Sequence, residues 1–445
     1  MMAVPASANR KFLRAVGVLV GGTGLSQAIL FLAMPVLTRL YSPADFSLMA
    51  TFVSVTNIIA VSACLRFDIA VPIPEEDGDA AHLLALALLS SCAISFLVLL
   101  AVVVAPVLTV SLLGNPDIAP FLLLIPATIL AISWYNALQY WATRKQAFGR
   151  LAKYKLFQAS AASGGQLAGG YWSSGAGWLL LGPALNYGLG TVLLLRGAVG
   201  QVSQIRLQKL KEVCRRYVDF PRYSAPESLA NSCAILLPVL VISALAENAE
   251  AGFLLLAMQI MQAPMTLIGT SISQVYLSTA GQEWKNGTLG RATIGVLGTL
   301  LRLGVAPLLL GCLLAPDIFA LVFGSEWRRS GELVLWMTPW LVLQFLASPV
   351  SMALHVTGRQ RLALVTQVLG LALRLGAVLL AHAYWPARVG EAYAVSGAIF
   401  YFGYLWVIGH CVQIRFAELF GQVRDALKFI LPAVFLAWLA MWVLP

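Results

Sequence analysis

The chain has 445 residues, of which 60% are hydrophobic and only 11% charged. Because a soluble domain carries about 25% charged residues, this composition excludes a water-soluble globular protein, and the mean hydropathy of +0.83 indicates a polytopic membrane protein. The formal net charge of +10 could suggest nucleic-acid binding. The basic residues instead gather in the loops on one side of the predicted spans, so no nucleic-acid partner is expected.

Thirteen apolar runs are predicted to cross the bilayer as α-helices of about 20 residues each. The first follows Arg10, Lys11 and Arg14 and continues past Pro35, so it is predicted to be a span rather than a signal peptide. The last run is short, and twelve or fourteen helices also fit the pattern. The runs cover 16–38, 46–65, 83–110, 118–141, 152–172, 177–196, 227–245, 251–279, 292–315, 333–356, 362–385, 392–411 and 426–444.

The loops predict the orientation of these spans. With a cytoplasmic N-terminus, alternating loops leave four basic residues on the outer side, namely Arg39, Arg328, Arg329 and Arg388. Nearly all other lysines and arginines then lie in cytoplasmic segments. The positive-inside rule therefore predicts an N-terminus in the cytoplasm.

A long basic cytoplasmic loop divides the chain into halves. We predict an N-terminal six-helix lobe over 1–200, a basic linker over 201–224, a C-terminal six-helix lobe over 225–412, and a cytoplasmic loop with an extra C-terminal helix over 413–445. The stretches "LYSPADFSLMA" and "LAENAEAGFLL" resemble one another in the two halves. Six spans per half give both halves the same orientation, which favours a parallel repeat.

Two arginines stand alone inside predicted spans, in the string Leu-Arg-Leu-Gly that occurs twice. At about 1.5 Å per residue, Arg302 and Arg374 lie roughly 15 Å and 18 Å deep, where each charge costs about 2.5–3.5 kcal/mol or more. One interpretation is a buried ion pair that holds helices together, but the acids lie in loops or at span ends. The interpretation favoured by this distribution is that both arginines face a water-filled cavity and bind a diphosphate, which the guanidinium suits.

Two further charged segments lie at predicted cytoplasmic ends. In "CLRFDIAVPIPEEDGD", Arg66 and Asp68 form either an interfacial anchor or the mouth of an inward-facing cavity. In "RRYVDFPRYSAPESLANS", Arg222 and Glu227 lie either in a linker held at lipid headgroups or at a cavity rim. Under the cavity interpretation the two arginines attract a diphosphate, and Asp68 and Glu227 are candidates for coupling or gating.

Polar side chains inside the fourth and eighth spans are candidates for contact with a glycan. They hold helices together in one interpretation and line a hydrated cavity in the other. These residues are Asn136, Gln139, Tyr140, Gln259, Gln262 and Gln274.

Catalytic motifs do not stand out. The sequence shows no Ser-His-Asp set, paired carboxylates or metal-ligand spacing, and the glycine-rich "GVLVGGTGLSQ" lacks a P-loop lysine. The chain is therefore not expected to be an enzyme or to hold a metal or cofactor. Uphill transport would require proton or sodium coupling, or removal of the product.

Three stretches carry a family resemblance: "PVLTRLYSPADFSLMATFVSVTNIIAVSACLRFDIAVPIP", "YVDFPRYSAPESLANSCAILLPVL" and "LIGTSISQVYLSTA". In them the chain resembles the Wzx-type polysaccharide biosynthesis proteins, the O-antigen and other lipid-linked oligosaccharide flippases of the multidrug/oligosaccharidyl-lipid/polysaccharide exporter superfamily. The resemblance implies two six-helix lobes with pseudo-two-fold symmetry around a basic cavity, and alternating access. It implies an undecaprenyl-diphosphate-linked oligosaccharide as cargo, for lipopolysaccharide or exopolysaccharide synthesis.

The resemblance also implies the bacterial inner membrane, membrane lipids as surroundings, and a glycan polymerase and a chain-length regulator as partners. A cation-coupled exporter of drugs or metabolites from the same superfamily is the alternative, although it would favour a carboxylate at the cavity centre. An O-antigen-type polymerase is less favoured, because the predicted outer loops are short.

Overall fold

The computed structural model describes residues 6–172, 175–196, 206–246, 249–414 and 416–443, and every regular element in these ranges is helical. The helices up to the middle of the chain are α1 (Ala6–Leu40), α2 (Pro43–Ala63), α3 (Phe67–Ala70), α4 (Asp77–Val104), α5 (Pro106–Leu113), α6 (Leu124–Arg144), α7 (Phe148–Trp172), α8 (Ala176–Leu195), α9 (Leu207–Arg216) and α10 (Ala225–Leu245). The remaining helices are α11 (Glu250–Lys285), α12 (Leu289–Leu303), α13 (Val305–Leu313), α14 (Ala315–Phe323), α15 (Arg328–Val350), α16 (Ala353–Val356), α17 (Gln360–Tyr384), α18 (Val389–Cys411) and α19 (Phe416–Val443). Each predicted span coincides with a long helix or with a helix and its continuation, which confirms the all-α assignment.

Hydropathy and exposure identify a multi-pass membrane protein. Among the described residues, eight helices are long and apolar enough to cross a membrane, or nine if the bent pair α12–α13 counts as one span. Large apolar side chains are exposed on these helices, for example Leu97 at 62% and Val104 at 72% on α4 and Leu369 at 63% on α17. Such surfaces suit contact with lipid rather than water.

Local sequence signals set where helices begin and bend. At the start of α2, the Ser42 hydroxyl accepts the backbone N–H of Asp45 while the Asp45 carboxylate accepts the backbone N–H of Ser42, a capping box followed by proline at the first helical position. The 42° bend between α12 and α13 falls at Gly304, three residues before Pro307. Proline has no N–H to donate to the preceding turn, and its ring clashes with that turn's carbonyl.

The chain divides into two compact units, Met1–Ala244 and Leu245–Pro445. In the first unit, α6 packs against α2, α4 and α8, and α7 packs against α1 and α8. In the second, α15 packs against α11, α13, α14 and α18, while α19 packs against α12 and α13. Nearly all of α10 belongs to the first unit, whereas the sequence predicted that the C-terminal lobe begins with this helix. The predicted lobe boundaries at 200 and 225 stay a prediction.

Candidate functional site

A left-handed turn after α2 positions Arg66. Leu65 and Arg66 have φ values of 49° and 60°, a conformation that costs a residue with a side chain about 1 kcal/mol or more. The turn is held on both sides by buried residues, because Cys64 is 2% and Phe67 3% exposed. Arg66 therefore lies beyond the end of α2 at Ala63, and its side chain lines a cavity.

A cavity of about 310 Å³ lies beside this turn, within the first unit. Ser228, Ser232 and Ile235 follow one another at helical spacing, so one face of α10 forms a wall of this cavity. The structure thus joins the two charged segments that the sequence singled out separately. The lining residues of this Arg66 cavity are Val61, Arg66, Ser228, Asn231, Ser232, Ile235 and Leu236.

Asp68 lies on α3, next to the same turn, and is 5% exposed. Its Oδ1 is buried and has no hydrogen-bond partner among the residues that the structure describes. Burial raises the pKa of the Asp68 carboxyl, and the Arg66 guanidinium offsets this only in part. Tyr140 of α6 lies within electrostatic range of both charges. Three predicted site residues, Arg66, Asp68 and Tyr140, are therefore neighbours.

Arg222 and Glu227 lie at the surface of this region. The Arg222 guanidinium stacks over the Tyr223 ring at 5.3 Å, and both Arg222 and Glu227 are exposed. Neither lines the Arg66 cavity, although Glu227 directly precedes the lining residue Ser228. Their predicted roles in attracting the diphosphate and in gating stay predictions.

The described end of the basic linker is held against the first unit by ion pairs. The Asp79 carboxylate of α4 pairs with Lys209 and Arg216 of α9, each at 2.9 Å. Val213 between them is 1% exposed and packs in the same apolar cluster as Phe67. These contacts fix α9, and with it the chain that leads into α10, beside the Arg66 turn.

Arg374 does not face water, although its position as a lone charge inside a predicted span had predicted a hydrated cavity around it. It is 2% exposed, and its guanidinium lies over the rings of Trp340, Phe400 and Tyr401 at 5.4, 4.5 and 5.6 Å. The prediction of a water-filled cavity around this side chain was wrong because aromatic side chains on α15 and α18 enclose it and supply a cation–π environment instead. Its role as a diphosphate ligand stays a prediction.

A glycine on α17 and another on α18 let two of these rings pack closely against the backbone of a neighbouring helix. A Cβ at Gly370, one turn before Arg374, would lie 2.4 Å from the Phe400 ring, and one at Gly397 would lie 2.5 Å from the Trp340 ring. A larger side chain at either position would push a ring away. Gly370 on α17 and Gly397 on α18 are thus part of the enclosure of Arg374.

Arg302 has a carboxylate partner, contrary to the prediction that no acid lies at its depth. Its Nη2 donates to Gln422 Oε1 at 2.8 Å and lies 3.7 Å from Asp425 Oδ2. The sequence placed Asp425 in a cytoplasmic loop, but α19 begins at Phe416 and carries both partners along α12. Arg302 therefore takes part in a half-exposed ion pair between helices, not in the buried pair that the sequence disfavoured. Its role as a diphosphate ligand stays a prediction.

A double-mutant cycle tests this pair. Both side chains are 43% exposed, and exposed pairs contribute about 0.2–1 kcal/mol. We therefore expect R302A and D425A each to lower stability slightly, with a coupling energy of about 1 kcal/mol or less, measured by thermal unfolding of the purified variants. If Arg302 instead binds a diphosphate, R302A would abolish that binding while D425A would not.

The polar candidates of the spans do not gather at one place. Asn136 and Gln139 are half-buried on α6, near Tyr140, whereas Gln259 and Gln262 are half-buried on α11 in the second unit. The Gln259 Oε1 atom is buried without a hydrogen-bond partner in the described part of the chain. Gln274 lies on α11, but its side chain is outside the described residues. Glycan contact by these side chains stays a prediction.

The sequence reasoning missed a charged network at the start of three helices of the second unit. Arg329 Nη2 contacts Glu250 Oε1 and Glu391 Oε1, both at 2.7 Å, and its Nη1 lies 3.3 Å from Glu332 Oε2. Burial raises the pKa of Glu250. The sequence does contain a signal for this network. An acid or a base lies in the first turn of α11, α15 and α18, and all three helices begin on the same predicted side of the membrane. We refer to these four residues as the Arg329 network.

Comparison with known proteins identifies the family. A family model described as "Polysaccharide biosynthesis protein" matches residues 36–332, which is more than half of the chain. The chain belongs to the polysaccharide biosynthesis protein family. This confirms the resemblance inferred from the sequence. No curated protein sequence matches the chain.

Solved structures share the fold of this polysaccharide biosynthesis protein. A structure of the lipid II flippase MurJ in an inward closed conformation superposes with a TM-score of 0.73 at 12% identity, over 96% of this chain and 97% of that one. An inward-facing multidrug resistance MATE family transporter of the MOP superfamily superposes with a TM-score of 0.65 at 15% identity, over 86% of this chain and 95% of that one. A MOP superfamily transporter from Pyrococcus furiosus superposes with a TM-score of 0.59 at 14% identity, over 90% of this chain and 96% of that one. The chain therefore shares its all-helical fold with these transporters.

Proposed function

We propose that this protein is a flippase that moves an undecaprenyl-diphosphate-linked oligosaccharide across the bacterial inner membrane by alternating access, with its N-terminus in the cytoplasm. The observation that carries the proposal is the Arg66 cavity. It combines a guanidinium with the hydroxyls of Ser228 and Ser232 and the amide of Asn231 in one chamber. Family membership supports glycan synthesis as the process, and the fold shared with a lipid II flippase supports translocation as the step.

The chemistry of this cavity suits a diphosphate. A guanidinium binds two phosphate oxygens at once, and hydroxyl and amide groups donate further hydrogen bonds. The volume of about 310 Å³ is near the lower end of ligand pockets, roughly 300–1,000 Å³. It therefore fits the diphosphate better than the whole oligosaccharide. The glycan would reach the predicted polar candidates, of which Tyr140 lies within electrostatic range of Arg66.

In the proposed cycle, Arg66 and Arg222 attract the diphosphate at the cytoplasmic mouth, Arg302 and Arg374 remain candidate ligands, and the prenyl tail stays in lipid. The chain has no proposed enzymatic step, and a glycan polymerase and a chain-length regulator are proposed to use the delivered unit. Proton or sodium coupling is proposed as the energy source, with Asp68 and Glu227 as candidate groups.

The alternative is a cation-coupled exporter of a drug or metabolite. One observation favours it: the buried Asp68 lies two residues beyond the cavity-lining Arg66, and acids inside transporters mark ion pathways. The shared fold with multidrug transporters is compatible with this alternative.

The proposal is tested by locating lipid-linked oligosaccharides in a deletion strain that carries variants of this protein. We expect the oligosaccharides to accumulate on the cytoplasmic face, wild type to clear them, and R66A to fail. R66A loses charged hydrogen bonds to the diphosphate that are worth about 1.5–3 kcal/mol, which weakens diphosphate binding by roughly 10- to 100-fold. R66K should be intermediate, because an ammonium cannot make the bidentate contact.

The matched control is R150A, which removes an exposed arginine of the same unit at the start of α7. It should clear the oligosaccharides like wild type. Accumulation of unpolymerised units on the outer face in the deletion strain would indicate a polymerase instead. An unchanged distribution of lipid-linked glycans would leave the small-molecule exporter as the function.

A further inference from the structure

We propose that the exposed face of α9 binds the headgroups of anionic phospholipids, and that Lys211 and Arg215 are the residues that contact them. The proposal goes beyond the proposed function, because it concerns the surrounding membrane and not the transported cargo. Neither cation lines the Arg66 cavity. We refer to Leu207, Lys211 and Arg215 as the α9 basic stripe.

One side of α9 is already occupied by the protein. Val213 is 1% exposed, and Tyr217, one turn further along, packs partly buried against the same apolar cluster. Lys209 and Arg216 are both held by the Asp79 carboxylate of α4. Because these contacts are spread along the length of α9, they fix which side of the helix faces away from the first unit.

The opposite side of α9 carries two cations without an acidic partner. Leu207, Lys211 and Arg215 follow one another at intervals of four residues, so they lie along one side of the helix, and all three are exposed. Neither Lys211 nor Arg215 forms an ion pair within the described part of the chain. Glu212, the acid within α9, is engaged by Arg216 at 3.0 Å. The α9 basic stripe therefore presents uncompensated positive charge.

Two neighbouring helices place α9 at the membrane surface. It packs against α4 at Asp79, which is one turn, or about 6 Å, before the apolar run of α4 begins at Leu83. It ends at Arg216, four residues before the candidate membrane span Phe220–Leu245. The headgroup layer is about 5–8 Å thick on each side of the hydrocarbon. We therefore place α9 at the level of the headgroups.

Exposed apolar side chains lie at both ends of α9. Leu207, its first residue, is 79% exposed, and beyond its last residue Val218 is 46% and Tyr223 is 59% exposed. At a membrane interface such side chains enter the boundary between headgroups and acyl chains, and a tyrosine keeps its hydroxyl in the polar layer. The combination of cations with apolar and aromatic side chains favours a lipid surface over bulk water as the surroundings of this face.

The balance of charge selects anionic lipids among those at this level. A cluster of about four to eight lysines and arginines next to a membrane span is attracted by the anionic headgroups of the cytoplasmic leaflet. Under the proposed orientation, α9 lies at that leaflet. The described segment 206–224 contains six basic residues and two acids, namely Arg206, Lys209, Lys211, Arg215, Arg216 and Arg222 against Glu212 and Asp219.

The experiment compares the full chain in nanodiscs of phosphatidylcholine with the full chain in nanodiscs that also contain phosphatidylglycerol. Hydrogen–deuterium exchange, followed by mass spectrometry, measures local opening of α9 in each. We expect the backbone amides of α9 to exchange several-fold more slowly with phosphatidylglycerol. This difference should disappear at high salt, because salt screens exposed charges, and it should be absent in the double variant K211Q/R215Q.

A titration in detergent gives the size of the effect. Each lysine or arginine near an anionic lipid surface strengthens binding by about fivefold. Soluble dihexanoyl phosphatidylglycerol should therefore bind K211Q/R215Q about 30-fold more weakly than wild type, and dihexanoyl phosphatidylcholine should bind both alike. The matched control R150Q/K153Q removes two exposed basic residues near the start of α7 in the same unit. It should keep the wild-type difference in α9 exchange.

The outcomes decide between lipid and other occupants of this face. Equal exchange of α9 in the two kinds of nanodisc overturns the proposal without any variant. A difference that persists in K211Q/R215Q, or at high salt, overturns the assignment to these two cations. If polyglutamate slows the exchange of α9 and phosphatidylglycerol does not, the face binds an acidic protein instead. Each of these results leaves the proposed function unchanged, since the Arg66 cavity is not involved.

Discussion

Replacing Arg374 by methionine is expected to lower the melting temperature of the purified protein by several degrees. The residue is 2% exposed, and its guanidinium lies over three aromatic rings. A desolvated cation–π contact is worth about 2 kcal/mol or more, and each 1 kcal/mol shifts the melting temperature of a domain of 150–250 residues by roughly 2–4 °C. Methionine fills part of the volume but supplies no charge to the rings.

Two further variants separate packing from charge at this position. R374K keeps the charge but loses the planar group that stacks on rings, so we expect a smaller loss of stability than in R374M. R361M changes an exposed arginine on the same helix, α17, and should melt like wild type. A variant R374M that melts like wild type and yet fails to support surface glycan would contradict the structural role and support the diphosphate role instead.

Replacing Arg329 by methionine is also expected to lower the stability of the second unit, by about 3–5 kcal/mol. R329M leaves the carboxylates of Glu250, Glu391 and Glu332 without their shared cation. The Glu250 and Glu391 side chains are only 10% and 13% exposed. Breaking a buried pair by deleting one partner costs about 3–5 kcal/mol, because the remaining charge is uncompensated. Thermal unfolding at neutral pH should show this loss.

The loss in R329M should shrink as the pH falls. Burial already raises the pKa of Glu250 while Arg329 lowers it, so deletion of the arginine raises the pKa further in the folded state. An acid whose folded pKa lies above its unfolded value destabilises the fold at high pH. That penalty declines as the pH falls through the folded pKa, and it is absent below the unfolded one. R329M should therefore approach wild-type stability in acid.

The adjacent arginine provides the matched control. Arg328 pairs with Asp317 at 2.9 Å, and its side chain is 54% exposed, so R328M should change stability by about 1 kcal/mol or less. Adding E250Q to R329M should recover part of the loss, because it removes one of the uncompensated carboxylates. If R328M and R329M melt alike, the Arg329 network does not stabilise the second unit.

The sequence by itself determined the class of the protein and the position of its helices. A membrane span is recognised from the hydropathy of about 20 consecutive residues. The start of a helix depends on residues close in sequence, such as Ser42 and Asp45. Both signals are local, so the long helices and the boundary at "LYSPADF" could be predicted without the fold. The motifs of the chain also indicated the family that the comparison identified.

The tertiary structure decided the surroundings of each charge. The rings around Arg374 come from helices other than its own, and the carboxylate beside Arg302 comes from α19, more than a hundred residues away. Likewise, Arg66 meets the polar face of α10 only because the chain turns back through a left-handed turn. The cost of a charge depends on the atoms packed around it, and helical periodicity does not specify which helices become neighbours.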